Sequence, residues 1–132
     1  MNEMIRVLYV DDEPDLRTIA ALALRLDPQL EVRTCATGHE GLAVAEEWQP
    51  ALILLDWMMP DPDGIATRHL LRENPATAEI PVAFITGAAN TDARRLLEQA
   101  GAVGIIEKPF EVRRLAQMVR SLIPASQADR AP

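Results

Sequence analysis

Short apolar runs alternate with stretches of helical period along almost the whole chain, and no other feature restricts the fold as strongly. Residues 5–10, 30–35, 52–55, 82–85 and 103–106 read as strands. The third is apolar on both faces, as a strand covered by helices on both sides requires. After the first run, Leu16, Ile19, Ala20 and Ala23 recur at helical spacing, with Pro14 suited to a first helical turn and Asp27-Pro28 closing the segment. Residues 38–48, 64–73 and 91–100 supply three more helices. The last of these directs Leu96 and Leu97 inward and stops at Gly101, whereas the 64–73 segment is the least amphipathic. Val112, Leu115, Ala116, Val119 and Leu122 give a fifth helix an i, i+3, i+4, i+7, i+10 stripe. The pattern predicts an α/β domain built on a parallel sheet.

At 132 residues there is room for one such domain, expected over 1–123, followed by a polar tail or linker over 124–132. Thirteen basic against twenty acidic side chains leave a net charge of −7, which weighs against direct contact with nucleic acid or an anionic membrane. No apolar run approaches the roughly 20 residues of a membrane span. Acidic residues at 11–13 interrupt the N-terminal region before a signal-peptide core can form. Cys35, the single cysteine, excludes an intrachain disulfide framework and a cysteine-built zinc site. A soluble protein of the cytoplasm is the expectation.

In a parallel sheet every strand ends at one edge, and ligands collect beyond the carboxyl ends. The first strand runs into Asp11 and Asp12, the third into Asp56, the fourth into Thr86, and the fifth into Glu107, Lys108 and Pro109. Carboxylates gathered on one rim repel one another, and a hard divalent cation with oxygen ligands relieves that repulsion. Mg²⁺ suits a partial acidic set, because it retains waters and takes one or two carboxylates together with a phosphate oxygen. Lys108 is the only lysine beside twelve arginines, so a compact ammonium rather than a planar fork is wanted there. Pro109 after it suggests a cis peptide or a rigid turn that aims the lysine.

Several of these residues have plainer roles open to them. Thr86 alone is a common strand-end hydroxyl, and Asp11 and Asp12 can cap the helix starting near Pro14. Asp56 ends the most apolar strand, where an unpartnered carboxylate is costly. Trp57, Met58 and Met59 read as loop packing, and His39 and His69 join no metal cluster. The run Asp61-Pro62-Asp63-Gly64 suggests a calcium loop, but aligning Gly64 with the loop glycine puts Met59 first and Leu70 last, which excludes it.

Taken in order, Asp11-Asp12-Glu13, Asp56-Trp57-Met58-Met59-Pro60, Phe84-Ile85-Thr86-Gly87 and Lys108-Pro109 resemble the receiver domain of two-component response regulators over roughly residues 4–123. The resemblance implies a flavodoxin-like, doubly wound, five-stranded parallel sheet of order 2-1-3-4-5 with five helices. It implies that Asp56 accepts a phosphoryl group from the phosphohistidine of a sensor kinase or a histidine phosphotransfer protein. Asp12, Asp56 and the Met58 carbonyl would then ligate Mg²⁺, with Asp11 near it or bound through water. Lys108 would hold phosphoryl oxygens, and Thr86 would move toward the phosphoryl group and bias the face of helix 4, strand 5 and helix 5 toward a downstream protein. The chemistry would be self-phosphorylation and autodephosphorylation rather than turnover of a separate substrate.

Three positions depart from the family pattern. Ile105 stands three residues before Lys108, where an aromatic switch residue is common. Pro62 stiffens the loop after Asp56, and Gly87 leaves the site open to phosphodonor and water. Two other function classes compete: a receiver-like scaffold that binds partners without phosphorylation, which the intact Asp12, Asp56, Thr86 and Lys108 set disfavours, and a metal-dependent phosphohydrolase, which lacks a second Asp two residues beyond Asp56. The chain is also compatible with a receiver taken from a larger hybrid kinase or regulator, and its oligomeric state is left open.

Overall fold

The computed structural model describes residues 4–87 and 90–124. Residues 1–3 of the expected domain and the tail beyond Pro124 lie outside them. Five strands, β1 (Ile5–Val10), β2 (Leu30–Cys35), β3 (Leu52–Asp56), β4 (Val82–Thr86) and β5 (Gly104–Glu107), alternate with five helices, α1 (Pro14–Leu24), α2 (Gly38–Trp48), α3 (Gly64–Glu73), α4 (Thr91–Gln99) and α5 (Leu115–Leu122). All pairings are parallel and the strand order is β2-β1-β3-β4-β5, the doubly wound arrangement expected above.

Side-chain alternation along the central strands divides the core into two layers. Val7 and Tyr9 of β1, Leu52 and Leu54 of β3, and Ala83 and Ile85 of β4 face α1 and α5. Leu8, Val10, Ile53, Leu55, Val82 and Phe84 face the other way, against Trp48 of α2, Leu71 of α3 and Leu97 of α4. Every residue of β3 and β4 is buried, which is why these strands show no polar alternation.

The differences from the sequence reading have local causes. Strands β3 and β4 each run one residue further than their apolar stretch, so Asp56 and Thr86 are strand residues with their neighbours' register. Strand β5 is shifted one residue onward, leaving Val103 42% exposed. In α4 only Leu97 points inward, on the face of Ala93, while Leu96 is 45% exposed, because successive helical residues diverge by about 100°. In α1 the buried residues are Ala20, Ala21, Ala23 and Leu24, and Ile19 faces outward. Helix α5 starts at Leu115 rather than Val112: the N–H groups of Arg114 and Leu115 donate to the Glu111 carbonyl in a preceding turn, and Phe110 packs against the core where Val112 was expected. Helix α3, expected to be the least amphipathic, segregates its apolar and polar faces better than α1 or α2, and it buries Thr67 and Arg68 together with Leu71.

A polar tie joins α5 to the connection between α1 and β2 on one side of the sheet. Arg120 of α5 donates from Nε to Asp27 Oδ2 at 2.6 Å, and the Gln29 N–H donates to Asp27 Oδ1 at 2.9 Å. The hydrogen bond from Arg120 holds the Asp27 carboxyl below its usual 3.8, against the effect of burial. The ionised form therefore favours the folded chain, in full above the unfolded carboxylate range and progressively less as pH falls through the lower folded value. In urea melts, Asp27→Asn is expected to lose up to about 1 kcal/mol at neutral pH, since the pair is partly solvated, and the gap should narrow below about pH 4. A gap of constant size across that range would show that charge contributes nothing to the tie.

Candidate functional site

The carboxyl edge of the sheet collects its acidic groups through strand register. Val10 of β1 pairs with Leu55 of β3, so one step further along Asp11 comes level with Asp56. The Asp11 N–H continues the ladder by donating to the Cys35 carbonyl at 3.1 Å, and the Trp57 N–H does so by donating to the Ile85 carbonyl at 3.1 Å. Both carboxylates are thereby fixed at the rim, Asp11 fully buried and Asp56 2% exposed, while Asp12 turns outward. Oxygen atoms of Asp11, Asp12 and Asp56 all lie within 4.8 Å of one another.

Lys108 arrives from the opposite side. Its backbone N–H donates to the Thr86 carbonyl at 2.9 Å, which extends the pairing of β4 with β5 and aims the side chain across β4. The ammonium then sits 3.1 Å from Asp56 Oδ1 and 3.3 Å from Asp11 Oδ2. The Lys108–Pro109 peptide is cis, as is Asp61–Pro62 in the loop after β3. Thr86 ends β4, 1% exposed, next to this ion cluster, whereas Gly87 is exposed and a Cβ there would meet no atom within 4 Å.

Asp11 is held more firmly than its position after a strand suggests. The Tyr9 hydroxyl donates to Asp11 Oδ2 at 2.8 Å and the Glu13 N–H to Asp11 Oδ1 at 3.0 Å, and Arg17 Nη1 donates to the Asp11 carbonyl at 2.8 Å. Sequence reasoning missed Tyr9, although the two-residue period places it on the same side of β1 as Asp11. Burial and the neighbouring Asp11 charge push the Tyr9 phenol far above its usual range, so it stays a protonated donor.

Burial and the charge of Asp11 also push the Asp56 carboxyl up to about 6, with Lys108 opposing both. Burial pulls Lys108 down, but the charges of Asp56 and Asp11 outweigh it and hold the ammonium above its ordinary value. The net result is two buried carboxyl groups sharing one cation, an arrangement short of positive charge. The donors around it are oxygens, without histidine or cysteine, which fits a hard cation such as Mg²⁺ rather than a soft metal.

The other residues singled out above occupy the surroundings. Met58 is 61% exposed in the loop after Asp56, and Met59 is buried against the α2–α4 layer. Gly64 starts α3 directly over the end of β3, where a Cβ would stand 2.8 Å from the Trp57 Cα, so the helix can approach this closely only without a side chain. Asp63 caps that helix by accepting from the Ala66 N–H at 2.8 Å, which gives the acidic run a structural role. Ile105 is half-buried on β5, opposite Phe84, and His39 and His69 are exposed away from any metal cluster among the described residues.

Comparison with known proteins agrees with this geometry. Residues 7–120 match the response regulator receiver domain family. The chain is 33% identical over 129 residues to the DNA-binding dual master transcriptional regulator RpaA of Synechocystis, covering 98% of this chain and 52% of that protein. It is 33% identical to the signal transduction histidine-protein kinase BarA of Escherichia coli K12, over 91% of this chain and 13% of the kinase. The chain thus spans about half the length of RpaA and a small part of BarA. Among solved structures, the Vibrio cholerae chemotaxis protein CheY4 superposes with a TM-score of 0.83 at 28% identity, covering 90% of this chain and 98% of CheY4.

The electrostatics predict a titration. Without Mg²⁺ the Asp56 carboxyl carbon resonance should titrate near pH 6, and Lys108→Met should move that midpoint higher by removing the charge that lowers it. Because the folded value is raised, ionised Asp56 opposes folding: the penalty is absent below about pH 4, grows toward pH 6 and is complete above it. Asp56→Asn is therefore expected to be more stable than the parent by about 1–3 kcal/mol at pH 8, with the difference closing toward pH 4. A midpoint near 3.8 would contradict the reading of the cluster.

Proposed function

The chain belongs to the response regulator receiver domain family, and from this premise we propose that it is a phosphorylation switch whose phosphoacceptor is Asp56. The observation that carries the reading is the Lys108 ammonium set between Asp56 and Asp11 at 3.1 and 3.3 Å. An Asp56 carboxylate oxygen attacks the phosphorus of a phosphohistidine, the nitrogen–phosphorus bond breaks, and the electron pair returns to the imidazole of the donor. An aspartyl phosphate results. Phosphoryl transfer asks little covalent chemistry of the protein beyond its nucleophile, so positioning and charge neutralisation decide the rate.

Asp12, Asp56 and the Met58 carbonyl are the groups that would hold Mg²⁺, with Asp11 bound directly or through water. When bound, the ion neutralises charge on the transferred oxygens. Lys108 turns from its carboxylate partners to a phosphoryl oxygen, and Tyr9 keeps Asp11 oriented meanwhile. The exposed Gly87 leaves an open approach for the phosphodonor and for the water that later hydrolyses the acyl phosphate.

Output follows from the Thr86 hydroxyl engaging the phosphoryl group and drawing the following loop with it. The segment moves next to α4 and β5, where Arg94 and Glu107 form an exposed ion pair of 2.7 Å that a shift of α4 would break. With Ile105 in place of an aromatic group, the backbone after Thr86 carries the signal to the α4–β5–α5 face. The donors are a sensor histidine kinase or a histidine phosphotransfer protein in the cytoplasm, and the reader is a downstream protein.

Intact mass spectrometry after incubation with acetyl phosphate tests the reading. One phosphoryl group should be gained in the presence of Mg²⁺, and none without the ion or in Asp56→Ala. Lys108→Ala should be phosphorylated at least about tenfold more slowly, as expected for loss of one charged contact to the transferred group. Failure to gain mass with several donors would favour a scaffold that binds partners unmodified.

A further inference from the structure

At the other end of the sheet, beside the start of β4, lies a cavity of about 390 Å³ whose lining includes Arg68, Arg72, Glu79, Ile80, Pro81 and Val103. Arg68 is 6% exposed, yet among the described residues it has no hydrogen-bond or ion-pair partner, and its Nε is fully buried and unsatisfied. Arg72 follows one helical turn later on α3. The two guanidinium groups converge: Arg68 Nη2 and Arg72 Nη1 lie 3.1 and 3.7 Å from the point where a Cβ on Gly101 would stand. Gly101, at φ +92°, both permits the turn after α4 and leaves that space clear. Glu79 lines the cavity without forming an ion pair with either arginine.

A guanidinium cannot shed its proton, so burial without a partner leaves an uncompensated charge, and a second arginine beside it raises the cost. Both effects, burial first and Arg72 second, pull Arg68 below its ordinary value. Most buried polar groups have a partner, and an anion would both accept from the Arg68 Nε–H and offset the buried charge. We propose that this cavity binds a phosphate monoester, its phosphate held between the forks of Arg68 and Arg72 and its organic group lying on Ile80, Pro81 and Val103. A phosphate matches the fork geometry of two arginines, and the apolar wall gives room for more than the bare ion. Strand β4 separates the cavity from Thr86 by five residues, roughly 15 Å, so this site is distinct from the one around Asp56.

The test is a titration of the full chain, without Mg²⁺ and at constant ionic strength, with inorganic phosphate and with phenyl phosphate, followed by backbone amide shifts. Saturating shifts at Arg72, Gly101 and Val103, with tighter binding of phenyl phosphate, are expected. Arg72→Met, at an exposed helical position where folding is not at risk, should bind at least about tenfold more weakly, and Arg68→Met weaker still. Absence of saturation, shifts confined to the surroundings of Asp56, or unchanged affinity in Arg72→Met would overturn the site. Equal affinity for the two probes would overturn the assignment of a monoester.

Discussion

The contact of Lys108 with two buried carboxylates governs the architecture around it. Asp11 and Asp56 follow or end neighbouring strands and are almost without solvent, so the Asp11 charge adds to burial in raising the cost of ionising Asp56. A cation has to reach both from within the protein. It comes from the end of β5, and the order β2-β1-β3-β4-β5 lets it do so, because β4 is the only strand between β3 and β5 and the lysine need cross a single neighbour. The backbone bond from the Lys108 N–H to the Thr86 carbonyl directs that crossing. The proposed chemistry uses the same contact: a cation already poised between the acceptor and its neighbour is available to an incoming phosphoryl oxygen with little reorganisation.

Much of this was legible along the chain because two simple periods carried it. Alternating apolar runs and helical stripes specify a parallel sheet with helices on both sides, and a parallel sheet puts the ends of all its strands on one rim, so the sequence alone brings Asp11, Asp56, Thr86 and Lys108 together. What escaped was information held in side-chain direction. Tyr9 is a core aromatic along its ring, and its hydroxyl reaches Asp11, two residues on and just past the end of the strand. Leu96 and Val112 were placed inward because they are apolar, whereas helix phase and the turn before α5 decide which apolar residues reach the sheet. Arg68 was invisible for the converse reason: an arginine on a helix reads as solvated, and only packing shows that α3 buries it.

Helix α3 links the two ends of the molecule. Its first residue, Gly64, lies against the backbone of Asp56 and Trp57, closer than a side chain would allow. Its fifth and ninth residues, Arg68 and Arg72, line the distant cavity. Asp63 fixes the N-terminus of the helix by capping it, and Thr77 fixes the other end by donating from its hydroxyl to the Leu71 carbonyl at 2.7 Å.

The two ends handle buried charge in opposite ways, and the contrast supports a difference of role. At the carboxyl edge, carboxylates outnumber the lysine that pairs with them, so the cluster accepts a hard cation and, through it, phosphoryl oxygens. At the amino edge, among the described residues, two guanidinium groups stand together and Glu79, though it lines the same cavity, pairs with neither, so the proposed site accepts an anion directly. Replacing Arg68 by an apolar residue of similar length would remove the cost of burying an unpaired charge, as replacement of buried ionic groups by apolar ones often does. A helix that needed only to pack would be served at least as well by such a residue. Retaining a charged fork there, facing a cavity with room for an organic group, makes sense when the fork has something to hold.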